Sequence, residues 1–415
     1  MTQKFIGYQC SLCGKTYSPG EVTYTCPVDG GNLDVILDYD RINKEGKLKE
    51  ITSSQDTSLW RYLPLLPVGD PGFLGTSLRI AGGTPILTPI KLGEELGIKK
   101  LWIKDEGRNP SASLKDRASA IVVARTRELK SEIVVTASTG NAGAALACMA
   151  AAVGQPAIIF APKTAPQAKV AQLLIFGAQV ILVDGNYDSA FDLTIEASKE
   201  FGWYCRNTGY NPFTLEGKKT AAFEIWETLL TSRKFNKPLT IFVSVGDGNI
   251  ISGLHKGFKD LQKLGWLEQM PRIIGVQAEG SAAIFNAFHS GTEEIIPVNA
   301  NTIADSISSD LPRDGVRAVR AAKQTGGTYI SVSDDEIVKA IAKLGKVGLF
   351  AEPAGSTAYA GLEKAVRENI VSHDDDILVM NTGSGLKDIR TAMQAVTTAP
   401  IIEPTLKELK KFLKQ

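Results

Sequence analysis

From about residue 130 the chain alternates short β-branched runs with longer stretches of helical periodicity. Ile133-Val134-Val135-Thr136 precedes a helical pattern over 142–153, Ala157-Ile158-Ile159-Phe160 one over 166–176, and Gln179-Val180-Ile181-Leu182-Val183 one over 187–201. The alternation resumes with Thr240-Ile241-Phe242-Val243-Ser244, a helix over 251–264 and the strand Ile273-Ile274-Gly275-Val276, and a last buried-strand signal is Ile377-Leu378-Val379-Met380. Apolar strands separated by helices predict an α/β fold of parallel sheets covered on both faces. The turn-rich stretch 40–81 has little periodicity and predicts an extended arm. Residues 404–415 predict a short basic helix that caps the chain in solvent.

In such sheets the loops at the carboxyl ends of the strands carry the chemistry, and three of them are rich in glycine and hydroxyls. Ser138-Thr139-Gly140-Asn141-Ala142-Gly143 follows the first strand, Gly246-Asp247-Gly248-Asn249-Ile250 follows Val245, and Asn381-Thr382-Gly383-Ser384-Gly385 follows the last. A glycine loop opening a helix gathers free N–H groups in the positive end of the dipole, which suits a phosphate, although such turns also serve close packing. The Ser138 loop suits a carboxylate or a polar ring substituent, or simple helix capping. The chain has neither the G-x-G-x-x-G dinucleotide pattern nor the G-x-x-x-x-G-K-[ST] phosphate loop, so a monophosphate is the more economical ligand. Upstream, Lys115 follows the Pro/Ser turn Asn109-Pro110-Ser111-Ala112-Ser113-Leu114 and opens a helical pattern. A helix N-terminus and partial burial both disfavour the ammonium form and free the amine as a nucleophile; the competing reading is a solvated surface lysine.

Composition narrows the partners. With 46 basic against 45 acidic side chains in 415 residues, nothing in the net charge calls for nucleic acid or an anionic membrane. No apolar run approaches a membrane span, and Thr2, Gln3 and Lys4 interrupt any signal-peptide core, so a cytoplasmic location is expected. Five cysteines, three of them near the N-terminus, suit a reducing compartment. Cys10-x-x-Cys13-Gly14 and Cys26-Pro27-Val28-Asp29-Gly30 form two knuckles resembling a zinc ribbon, with Asp29 where a fourth cysteine is usual. A structural Cys10, Cys13, Cys26, Asp29 zinc site is one reading. A metal-free hairpin held by Tyr8, Tyr17, Tyr24 and Leu33 is the other.

Taken in order, the Lys115 segment and the three loops resemble the fold type II pyridoxal phosphate enzymes (tryptophan synthase beta-like). Within them the chain resembles the threonine synthase family: Asn109 to Ala118 matches N-P-S-x-S-[FL]-K-D-R-A, and Thr382 to Asp388 matches T-G-H-G-L-K-D apart from Ser384. The resemblance runs from about Cys10 to Asp388. It implies two open parallel-sheet domains: a larger, cofactor-binding one from 86–125 with 225–395, and a smaller one from 126–224. A zinc-ribbon-like module (1–40), an extended arm (41–85) and a tail helix (396–415) complete the expected organisation. It also implies pyridoxal 5′-phosphate as cofactor and conversion of O-phospho-L-homoserine and water to L-threonine and phosphate, by β,γ-elimination and water addition. Lys115 would then form the Schiff base, Asn141 would bond the 3′-oxygen of the ring, and Gly246, Asp247, Gly248, Asn249 and Ile250 would hold its phosphate. Thr382 would face the ring nitrogen, and Ser138 and Thr139 would receive the substrate carboxylate. A homodimer acting on a small amino acid is the expected assembly.

The substrate's own phosphate calls for a cation. The family places an arginine in N-S-x-N-P-[YF]-R-x-E-G, whereas this chain reads Asn207-Thr208-Gly209-Tyr210-Asn211-Pro212-Phe213-Thr214-Leu215-Glu216-Gly217-Lys218, one residue longer and with Thr214 at the arginine. A hydroxyl does not replace a bidentate guanidinium. Lys218, Arg108 or Arg117 are the candidates to compensate, and Ser384 is a second departure, replacing the family's histidine. Alternatives therefore stay open: a serine/threonine dehydratase, a diaminopropionate ammonia-lyase or a cysteate synthase-like β-replacement enzyme. A noncatalytic amino-acid-binding homologue is the alternative of another class.

Overall fold

The structure, a computed structural model, describes residues 4–233 and 235–414. A small antiparallel sheet comes first, ordered β2-β1-β3, from β1 (Phe5–Cys10), β2 (Thr16–Tyr17) and β3 (Leu33–Leu37). Next in the chain are β4 (Ile86–Leu87) and β5 (Lys100–Asp105). A four-stranded parallel sheet, ordered β8-β7-β6-β9, is built from β6 (Val134–Ala137), β7 (Ala157–Pro162), β8 (Gln179–Val183) and β9 (Tyr204–Cys205). The chain then returns through β10 (Thr240–Ser244), β11 (Arg272–Ala278), β12 (Tyr329–Val332) and β13 (Asp376–Asn381). These join β5 and β4 in a six-stranded sheet ordered β12-β11-β10-β13-β5-β4, parallel except at the β4 edge. The α/β class expected from the alternation is the observed one.

Every residue of β6, β10 and β13 is buried, as parallel strands covered by helices on both faces require. The helix Lys115–Glu128 lies at the centre, with Ile121, Val122 and Val123 fully buried, and packs on Phe213–Lys218 and on Asn141–Ala151. The first of these contacts depends on a missing side chain: a Cβ on Gly217 would stand 2.1 Å from the Arg117 carbonyl oxygen. The same helix start is pinned by an ion network with almost no solvent contact. Arg117 Nε donates to Glu106 Oε2 at 2.7 Å and its Nη1 to Glu224 Oε1 at 2.6 Å, while Lys104 Nζ donates to Glu224 Oε2 at 2.7 Å. Such charges are tolerated inside only when fully paired.

The segment 41–85, expected to be extended, instead contains the helices Tyr39–Lys44 and Lys47–Thr52 and a 3-10 turn, Leu59–Leu65. Leu59, Trp60, Tyr62, Leu65, Leu66 and Val68 are all buried there, so hydrophobic docking orders a stretch that lacks helical periodicity. At the other end, the helix Leu406–Phe412 buries none of its residues. No helix among the described residues is long and apolar enough to cross a membrane.

Candidate active site

The lysine segment is stitched to the loop after β13. Asp116 closes its turn by accepting from the Ser111 amide at 2.6 Å and from the Ser111 hydroxyl, while Leu114 N donates to Thr382 O and Ser384 N to Ala112 O, both at 3.0 Å. Burial lifts the Asp116 carboxyl to about 6, with the two Ser111 bonds opposing the rise. Lys115 is thereby set at the first helical position. Burial pushes its amine below the usual range; Glu352 and Asp247 counteract this, and Arg206 and Lys387 reinforce it. No protein group bonds to its Nζ among the described residues, so the amine faces a cavity of about 480 Å³ between the two parallel sheets. Ser138, Thr139 and Asn141 line one side, residues 246–251 the other, and Thr208, Lys218, Tyr187 and residues 305–311 complete the wall.

The glycine loop opens the 15-residue helix Asn249–Lys263. Gly248 has φ +89°, and a Cβ there would stand 2.7 Å from Asp314 O, so the turn requires glycine. No protein acceptor takes the amides of residues 246–251 among the described residues. That leaves a row of donors at a positive helix end. Asp247 does not occupy them: its carboxylate accepts from Arg313 N at 3.2 Å and Ser309 Oγ at 3.4 Å, and its carbonyl from Asp314 N at 2.9 Å. Asn249 accepts from Lys218 Nζ and donates to Asp314 Oδ2 at 2.7 Å.

Two buried cations, Lys218 on the cavity wall and Arg206 behind Thr208, lack a carboxylate in ion-pair range. Lys218 has only the amide oxygen of Asn249, and burial, with Arg206 and Lys115 adding to it, pulls its amine well below the ordinary lysine range. Arg206, fully buried at the end of β9, donates through Nη1 to Thr208 Oγ1 at 2.6 Å and through Nε to Ser119 Oγ at 3.3 Å; its Nη2 has no partner. Burial lowers its guanidinium to about 10. Sequence reasoning passed over Arg206, although its position at the carboxyl end of a parallel strand is a usable signal. The other cations considered there are engaged elsewhere: Arg117 in the core network, and Arg108, largely exposed, with Asp105 at 3.1 Å.

The remaining candidates divide between the cavity and its supports. Asn141 Nδ2 donates to Glu352 Oε1 at 2.7 Å and to Ser306 Oγ at 3.3 Å, so a ligand taken up by this amide exchanges those bonds. Glu352, held in the neutral direction by burial, was not anticipated from the sequence. Four candidates lie off the cavity wall. Asn207 Oδ1 accepts from Ala137 N at 2.7 Å and ties β6 to the loop after β9. The Thr214 hydroxyl, fully buried, donates to Asn211 O at 2.7 Å and caps its own turn. Ser384 caps the turn Gly385–Lys387. Thr382 is buried, with its hydroxyl free of protein partners. Far from these, in the N-terminal sheet, one ligand atom from each of Cys10, Cys13, Cys26 and Asp29 gathers within 4.8 Å of the others.

Residues 78–383 match the family described as pyridoxal-phosphate dependent enzyme. The chain is 40% identical over 410 residues to the threonine synthase of Methanocaldococcus jannaschii, covering 98% of this chain and 99% of that one. It is 36% identical to the threonine synthase of Methanosarcina acetivorans, covering 98% of both. Among solved structures, threonine deaminase isoform 2 from Solanum lycopersicum superposes with a TM-score of 0.65 at 22% identity, over 92% of this chain and 99% of that one. Diaminopropionate ammonia lyase from Escherichia coli gives 0.65 at 20% identity, over 83% and 92%. At such identities the last two speak for the fold alone.

Proposed function

The chain belongs to the threonine synthase family of pyridoxal-phosphate-dependent enzymes, and from that premise we propose that it converts O-phospho-L-homoserine and water into L-threonine and phosphate. The observation that carries this reading is the uncompensated charge of the cleft. Lys218 on its wall and Arg206 behind Thr208 both lack an ion-pair partner, beside a row of unbonded amides. Buried cations left this way are stable only when anions arrive, and both the cofactor and this substrate bring a phosphate.

Pyridoxal phosphate fits the donor set. Lys115 offers the amine for its aldehyde, the amides of residues 246–251 and Lys218 offer donors for its phosphate, and Asn141 an amide for the ring oxygen. Bound there, the cofactor supplies an electron sink for negative charge developing on the amino acid's carbon skeleton.

The protein's own groups do the rest. Ser138, Thr139 and the N-terminus of the helix Asn141–Ala151 hold the substrate carboxylate. Thr208 accepts a hydrogen bond from Arg206, so its own proton is free to point into the cavity toward the distal phosphate. The guanidinium supplies the charge that Thr214 does not. Lys115, neutral once desolvated, removes the protons at Cα and Cβ as phosphate leaves Cγ, then returns protons to Cγ and Cα as the hydroxyl of water adds at Cβ, the water's own proton leaving with the phosphate. The test is to supply phosphohomoserine and measure inorganic phosphate and threonine together in equal amounts. If neither forms while serine or threonine yields a 2-oxo acid and ammonia, the chain is a β-eliminating enzyme and the reading falls.

A further inference from the structure

The N-terminal sheet is small and carries a cluster that the reaction does not use. We propose that Cys10, Cys13, Cys26 and Asp29 bind one zinc ion, and that this metal-clamped ribbon is a buttress holding the substrate side of the cleft in place.

The geometry of the four ligands supports the metal. A tetrahedral zinc about 2.3 Å from each sulfur sets its sulfurs about 3.8 Å apart. Cys13 Sγ and Cys26 Sγ are 3.8 Å apart, and Cys10 Sγ lies 3.3 Å from Asp29 Oδ1. All five cysteines are free thiols. Two knuckles of like shape present the ligands. In the first, Gly14 N donates to Cys10 O at 3.1 Å and Leu12 N to Cys10 Sγ at 3.3 Å; in the second, Gly30 N donates to Cys26 O and Cys26 N to Gly31 O, both at 2.9 Å. Asp29 is fixed by Gly31 N, which donates to its Oδ1 at 2.8 Å. Outside the ligands, Tyr17 Oη stands 3.0 Å from Cys26 Sγ, where its proton stabilises a metal-bound thiolate. Cys10 and Cys26 are buried while Cys13 and Asp29 are exposed, so the ion enters from solvent. A sheet with a two-residue strand has little core of its own, and a metal is one of the usual staples for such a module.

The contacts of the ribbon give the clamp its consequence. Asn32 Nδ2 donates to two carbonyls at once, Gly209 O and, at 3.2 Å, Arg313 O. The first belongs to the loop carrying Arg206 and Thr208, the second to the segment that fixes Asp247. Tyr24 holds the same loop from below: its hydroxyl accepts from Cys205 N at 2.9 Å, and its ring stacks on Tyr210 at 4.5 Å. Asn32 and Tyr24 follow the second knuckle or precede it by two residues, so the metal sets both. Arg317 to Asp34 at 2.8 Å and Arg320 to Ser11 O anchor the module to the body. The metal claim stands apart from the reaction, whereas the buttress claim rests on the substrate reading above.

The experiment uses the full-length holoenzyme, purified without a metal-affinity tag from zinc-containing medium. Elemental analysis is expected to give one zinc per chain, lost in Cys13→Ser and Cys26→Ser. Cobalt loading should give the intense visible bands of a tetrahedral thiolate site. Tyr17→Phe, which keeps the ring, should weaken metal affinity by about 10- to 100-fold. Wild-type protein that holds no zinc, even after refolding with excess zinc, overturns the metal claim. Chelation should then raise KM for phosphohomoserine more than it lowers kcat, speed amide exchange at residues 205–210, and be reversed by zinc. Unchanged KM and unchanged exchange in the metal-free chain overturn the buttress while the metal stands. If phosphohomoserine is no substrate at all, calorimetric binding of inorganic phosphate provides the same comparison between metal-bound and metal-free protein, so loss of the reaction and loss of the buttress remain distinguishable.

Discussion

Lys115 and Arg206 differ in how visible they are before folding. Lys115 sits in a local motif, Asn-Pro-Ser-Ala-Ser-Leu-Lys-Asp-Arg-Ala, whose turn chemistry can be read residue by residue. Arg206 stands in no motif, its one local signal being its place at the carboxyl end of a strand; its bond to Thr208 is local, but only the fold brings it near Lys218. Thr214 was legible as a departure, but not as the cap of its own turn. Two expectations follow at this scale. Lys115→Ala should abolish turnover while circular dichroism and the melting curve stay close to wild type; retained activity would remove the proposed chemistry. Arg206→Met should raise KM for phosphohomoserine by about 10- to 100-fold, as loss of a charge-assisted bond of about 1.5–3 kcal/mol implies, and Arg206→Lys should recover part of it. Equal KM values in all three proteins would return the search for the phosphate anchor to Lys218.

Among the elements, apolar strands such as β10 and β13 were legible from their runs, whereas β5 was not. Its sequence Lys-Leu-Trp-Ile-Lys-Asp carries three charges, and its buried Lys104 is paired most closely with Glu224, 120 residues away, with Glu106 and the Thr84 carbonyl beside it. No local pattern announces such a pairing. Arg117→Met should therefore leave two buried carboxylates, Glu106 and Glu224, sharing the single cation Lys104 and cost about 3–5 kcal/mol in denaturant unfolding; a change below about 1 kcal/mol would mean the carboxylates reach solvent. The helix Asn249–Lys263 carries a second test. Burial of His255, with Lys259 adding to it and Asp34 opposing, pulls its imidazole down to about 4 from 6.5. The neutral ring is the form that fits. Its contribution is intact above pH 6.5 and is lost as pH falls from there toward 4, by at most about 1.4 kcal/mol per pH unit. His255→Gln should flatten stability across that window; an unchanged slope would assign the acid sensitivity elsewhere.

For the whole molecule, the alternation of strands and helices predicted parallel sheet and the family resemblance two such domains, but neither gave how they face each other, because the cleft depends on long-range contacts such as Asn141 to Glu352, 211 positions apart. The segment 41–85 shows the same limit from the other side: its turn residues suggested an arm, and its buried Trp60 and Tyr62 make it part of the core. The cleft also makes the protein's stability depend on what fills it. Inorganic phosphate should raise the melting temperature of cofactor-free protein more than chloride at equal ionic strength, through preferential binding to the native state. The gain should shrink in Lys218→Met and vanish in the Lys218→Met, Arg206→Met double variant; a gain untouched by both would place the anion outside the cleft.

The ribbon's anchorage carries a consequence for how the chain is made. Ser11 bonds to Arg320 across a sequence separation of 309, and Asn32 to Arg313 across 281. On a ribosome adding about 5–20 residues per second, the ribbon emerges well before the surface it docks on and waits tens of seconds for it. During that interval it must hold its own shape or be recruited into other contacts. With the proposed zinc joining Cys10, Cys13, Cys26 and Asp29, the module would keep its two knuckles together through that interval and dock as the last latch on a body that folds after it.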